Sequence, residues 1–229
     1  MRIAQLTLST TDRAGQAAFW GERLGLPVRE TGSAVEVVLR RSTIRFEPAD
    51  AGTDARYHFA INVPPGSIEE AAAWLGDRHE ILEFHGDSEV EEAATIVHTD
   101  RGASAFYFLD AAGNVVELIA NPGIDEPEAS FGPDSLLEIA EIGVATADTA
   151  ATRAVVEEVF GAGVLWGGSD ASRLTAIGDD HGVVIVAPAG RGWIPVGLLA
   201  RPLPTTIVAE GPRPAEVMLP EGPYHLRAI

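Results

Sequence analysis

The chain opens on an alternation. Ile3, Leu6 and Leu8 are apolar, Gln5 and Thr7 among them are polar, and the run closes at Asp12. A period of two over such a stretch predicts a half-buried strand. Asp12 suits a helix start, because its carboxylate can accept from the free N–H groups of a first turn. Residues 13–24 follow with Ala17, Ala18, Trp20 and Leu24 on or near one face, and Gly25 and Pro27 end them. The same order returns 136 residues later. There Ile139-Ala140-Glu141-Ile142-Gly143-Val144 leads to Asp148, and residues 149–160 carry Val155, Val156, Val159 and Phe160 up to Gly161. A more diverged copy stands between them: a strand at 57–63, a break at Pro64-Pro65-Gly66, then Ser67 with Glu70 in capping-box spacing before a helix with Ala71, Ala72, Trp74 and Leu75.

Strand-like runs follow each helix. They are predicted at 27–30, 34–40 and 43–47, then at 80–84, 94–99, 104–109 and 114–120, and finally at 164–166, 172–177 and 182–187. Asp110-Ala111-Ala112-Gly113 between two of them has the glycine of a short hairpin. The chain therefore reads as an α+β protein of three β-α-β-β-β units. Residues 1–122 form a pair of units, 123–135 a linker rich in proline and acid, and 136–229 a third unit with a tail. The tail after Gly197 is rich in Pro and Gly, with one clear strand at 205–209.

Composition narrows the chemistry. Of 229 residues 46% are apolar, enough for a packed core, and the net charge is −18. Such an acidic balance argues against nucleic acid and against anionic membrane surfaces as partners. The chain has no cysteine, which removes thiolate nucleophiles, iron–sulfur clusters and thiolate zinc sites. With no secretory pattern over residues 1–12 and no apolar run long enough to span a bilayer, the expectation is a soluble cytoplasmic protein. Histidine, carboxylates, amides, arginine and a metal ion remain as tools.

The repeat, the Phe19-Trp20 helix running into Leu24-Gly25-Leu26, and the segment from Phe106 to Leu118 together resemble the vicinal oxygen chelate superfamily. That group includes glyoxalase I, fosfomycin and bleomycin resistance proteins and extradiol dioxygenases. The resemblance implies that units one and two pair into one curved sheet around a cavity. It also implies that metal ligands come from the first and last strands of each unit. Carried onto this sequence, those positions are Gln5, Glu47, His58 and Glu117. They make a mixed nitrogen and oxygen set suited to one divalent ion such as Ni, Co, Zn, Fe, Mn or Mg. The set is similar to that of some glyoxalase I enzymes and departs from the dioxygenase pattern at Gln5. In unit three the first-strand position is Glu141, and the last-strand counterpart by linear alignment is Ala187, which cannot ligate; one metal site is expected.

The implied function is a metal-dependent, glyoxalase-like lyase or isomerase acting on a small molecule. Vicinal oxygens of the substrate would be chelated, and Glu47 or Glu117 would serve as general base. Trp20, Phe106 and Phe108 are candidates to line the substrate pocket. The alternatives are an extradiol dioxygenase using Fe(II) or Mn(II), and a non-catalytic protein that sequesters an antibiotic. His79, His85, His98, His181 and His225 lie in turns, at strand ends or in the tail and are not expected to ligate. The turn Gly190-Arg191-Gly192-Trp193-Ile194-Pro195 is suited either to binding a ligand or to packing unit three. Because three units leave one concave face open, a homodimer is expected.

Overall fold

In the computed structural model, which describes residues 1–50, 52–84, 94–127, 130–168 and 173–229, the opening alternation is strand β1 (Ile3–Thr10). Leu6 and Leu8 face the core, while Gln5 and Thr7 face away from it. The Asp12 carboxylate accepts from the Gly15 N–H and starts helix α1 (Arg13–Ala17). That helix widens into a π-helical turn (Ala18–Arg23). Three strands follow: β2 (Val28–Thr31), β3 (Ala34–Val38) and β4 (Thr43–Pro48). They form a meander that brings β4 back parallel to β1. The closure between first and last strand defines a module.

The second module has the same plan: β5 (His58–Asn62), α2 (Ile68–Gly76), β6 (Val97–His98), β7 (Ser104–Leu109) and β8 (Val115–Ala120), with β5 parallel to β8. Only Leu82 and Phe84 make isolated bridges where a strand is predicted at 80–84. The third comprises β9 (Glu138–Thr146), α3 (Thr149–Phe160), β10 (Val164–Gly167), β11 (Thr175–Asp179) and β12 (Gly182–Pro188), with β9 parallel to β12. A small hairpin, β13 (Gly192–Trp193) and β14 (Leu198–Leu199), follows it.

The tail is a fourth module without its helix. Strand β15 (Thr205–Ala209) runs parallel to β17 (Tyr224–Ala228), and β16 (Ala215–Met218) pairs on the outside. This changes the predicted pairing. β1 lies antiparallel to β15, and β5 lies antiparallel to β9. Module one thus pairs with the tail, and module two with module three, rather than one with two. β1 and β9 touch at one pair, Ile3 opposite Ile139, which joins both halves into a 15-stranded mixed sheet. A boundary at 123–135 therefore divides module two from its own partner. The open face that motivated a homodimer is covered from within the chain.

The main core lies on the helix side of the sheet, where Leu6, Phe59, Ile142 and Ile207 from the four first strands meet the helices. Trp20, Phe106 and Phe108 are in this core, fully buried, and are not on the cavity side. Trp20 packs against Phe59 and Phe108 at ring distances of 6.4 and 6.3 Å, and its Nε1–H donates to Gln16 Oε1 at 2.8 Å. The alternation of β7 puts both phenylalanines on the helix side. Phe106 and Phe108 point to the helices, and Tyr107 between them points the other way.

Candidate functional site: a buried histidine and two glutamates

Where β5 meets β9, the concave face brings together His58, Glu117 and Glu141. One ligand atom from each lies within 4.8 Å of the others, and all three residues are at most 9% exposed. Each arrives by backbone register. His58 begins β5. Glu117 sits on β8 opposite Ala60, two residues beyond Val115, the cross-strand partner of His58. Glu141 stands opposite Ala60 across the β5–β9 junction.

The His58 ring is fixed by its own strand pair. Nδ1 lies 3.3 Å from the Val115 carbonyl, an acceptor only, so Nδ1 carries the hydrogen. Nε2 is left facing the Glu117 carboxylate at 3.7 Å. Burial pushes the imidazole pKa down to about 4, partly offset by the Val115 carbonyl. The ring is therefore neutral near pH 7, with a lone pair on Nε2. Burial pushes Glu117 up, and the neighbouring Glu141 charge adds to this. Burial also pushes Glu141 up to about 7, against the pull of the Arg101 guanidinium. The Tyr107 hydroxyl, raised by burial and by the two glutamates, is hydrogen-bonded to Glu117. Two desolvated carboxylates side by side with one imidazole lone pair form a costly arrangement that a divalent cation would relieve. One imidazole nitrogen and carboxylate oxygens are donors that fit such an ion.

The cavity above these residues has a volume of about 420 Å³. Leu165, Trp166, Leu174 and Ile185 supply apolar wall; Arg101 and Arg191 stand among its charged residues. Arg101 is held by Asp180 Oδ1 at 3.0 Å. This is the size and balance of a small-molecule site.

Two of the predicted ligands are brought together here, and two are not. Gln5 is on β1, where its amide donates to Thr7 Oγ1 at 3.2 Å. Glu47 is exposed at the end of β4 and pairs with Arg45 at 2.9 Å. Both belong to the module-one half, separated from β5 by β9 in the sheet order. Moreover, the last-strand position that matches Glu117 is two residues earlier than linear alignment gives. In module two it lies opposite the first-strand ligand plus two, which is Arg45 in module one and Ile185, not Ala187, in module three. The slip keeps the same strand face, since side chains repeat every two residues. Glu141 supplies the third donor instead. Its signal was the repeat itself, which places it at the first-strand position; Tyr107 was legible as the one polar residue in Phe106-Tyr107-Phe108. His85 lies outside the described residues.

No protein-family model and no curated protein matches the sequence. Solved structures do match in fold. Over 100% of this chain and 85% of the other, it is similar to a Bacillus subtilis protein provisionally named a dioxygenase, with a TM-score of 0.62 and 13% identity. Over 99% of this chain and 92% of the other, it is similar to glyoxalase I from Zea mays, with a TM-score of 0.58 and 12% identity.

Proposed function

Since the chain has the fold of the vicinal oxygen chelate superfamily, we propose that it is a metal-dependent enzyme of glyoxalase-like type. It would act on a small molecule with two adjacent oxygens and move a proton next to a carbonyl. The observation that carries this reading is the convergence of His58, Glu117 and Glu141 on one point in a mostly apolar cavity. A divalent ion held by these three side chains would act as a Lewis acid on the substrate oxygens.

The chain's own residues do the rest. His58 offers Nε2 and keeps its orientation through Val115. Released from the ion, Glu141 would have the pKa of about 7 that burial gives its carboxyl and so would be matched to accepting a proton at neutral pH. Glu117 is the alternative base, and Tyr107 steers its carboxylate by hydrogen bonding. Leu165, Trp166 and Ile185 exclude water from the reacting centre. Glu47, the other base suggested by the sequence, stands on a different module and takes no part.

A specific observation also favours a second reading. Ile185 fills the position of a fourth ligand, so three protein donors leave more open positions than four would. That room suits a dioxygenase, in which substrate and oxygen bind side by side. One experiment separates the two. Metal-loaded protein is offered 2-hydroxyketones and catechols in deuterated buffer with an oxygen electrode in place. Deuterium exchange beside the carbonyl without oxygen uptake is the expected result. Oxygen consumption on catechols would replace the lead with the second reading, and neither activity with no bound metal would refute both.

A further inference from the structure

We propose that the β13–β14 hairpin is the specificity element of this pocket, with Trp193 setting the size of substrate that fits beside the metal ligands. The inference rests on the metal-dependent reading above and adds a substrate class: a compact vicinal-oxygen chelator whose apolar substituent is no larger than a single ring.

Module three should contribute a deep half to the cavity. The concave faces of β9, β11 and β12 carry small residues, Gly143, Ala145, Ala176 and Ala187, which leave a trough beside Glu141. Trp193 lies in that trough. It is 5% exposed and packs on Ala145, Ala176 and Ile185, and its ring is 5.2 Å from the His58 ring at 35°. It also lines the cavity, so its indole is a wall of the site as well as a filler.

The approach is built into the backbone on both sides. A Cβ on Gly143 would stand 2.6 Å from Trp193 Cη2 and Cζ2. Glycine inside a strand weakens it, and its use here marks the close approach of another group. On the hairpin side, Gly190 N–H donates to the Ala200 carbonyl at 2.7 Å, and Gly197 N–H donates to the Trp193 carbonyl at 2.8 Å. These bonds hold the ring in place while Ile194, Val196 and Leu199 remain 46–50% exposed at the outer end. Arg191, Gly192 and Ile194 also border the cavity, but Trp193 is the one residue of the hairpin that is buried. Without the indole, the trough would run on from the cavity and admit a second ring.

The test uses hydroxamic acids, which chelate through two adjacent oxygens, on Co(II)-loaded protein followed by calorimetry and the cobalt visible spectrum. Acetohydroxamate and benzohydroxamate should bind wild-type protein, and 2-naphthohydroxamate at least about tenfold more weakly than benzohydroxamate. Trp193→Ala should remove that discrimination and leave acetohydroxamate within about twofold of wild type. Trp193→Phe, which keeps a smaller aromatic filler in the trough, should move selectivity the same way to a lesser extent and serves if the first variant fails to fold. Wild-type protein that binds all three equally, or folded variants that keep the wild-type order, would overturn this inference alone. Wild-type protein that takes up no cobalt would overturn the metal-dependent reading and this inference with it.

Discussion

At the scale of single residues, burial sets the behaviour of Asp110, His58 and Glu141. Asp110 shows the structural use. It is fully enclosed, and its carboxylate accepts from Gln16 at 2.8 Å, Asn114 Nδ2 at 2.7 Å and the N–H groups of Ala112 and Asn114 at 3.0 Å. Asn114 then accepts from Tyr57 N–H, next to the start of β5. The Asp110–Asn114 motif is therefore a clamp that seats His58. Asp110→Ala should cost about 3–5 kcal/mol, because four donors lose their acceptor in a dry site. Denaturant unfolding measures it, and a loss below 1 kcal/mol would refute the clamp. Glu141 shows the functional use. With its pKa near 7, a proton must leave before a metal binds, so affinity should fall as pH drops. His58 stays neutral until about pH 4 and adds nothing to this slope in the same range. Manganese titrations by EPR at pH 5.5 and 8 should differ by roughly tenfold or more, and equal affinities would contradict the assignment.

At the scale of elements, the strand-and-helix units were readable because period and caps agree. The reading of α3 over residues 149–160 coincides with the structure, bounded by Asp148 and by Gly161 at φ +62°. The fourth module was not readable as one. Its helix is missing, its strands are short, and prolines mask the pattern, so only the Thr205–Ala209 alternation stood out. Yet β15 covers β1 along five residue pairs and supplies Ile207 to the core. Ending the chain after Pro204 should bare the β1 edge and give aggregated protein on size-exclusion chromatography. A monodisperse, folded truncation would show that the tail is dispensable.

For the whole molecule, the sequence showed which residue types carry chemistry but not which modules face each other. Gln5, His58 and Glu141 hold the same place in their modules, and nothing local says whether module two turns to module one or to module three. That choice is made by long-range pairing: β5 beside β9, β1 beside β15. It leaves two unlike concave faces. One holds the His58 site, while the other presents Gln5, Thr7 and the Arg45 ion pairs to Glu36 and Glu47. The linear carry-over mixed the two. Metal analysis of purified variants after loading with Mn(II) and desalting tests the central claim most directly. Wild type, Gln5→Ala and Glu47→Ala should each retain about one equivalent, while His58→Ala and Glu141→Gln should lose most of it. Retention by His58→Ala and Glu141→Gln, or loss from Gln5→Ala and Glu47→Ala, would contradict the account.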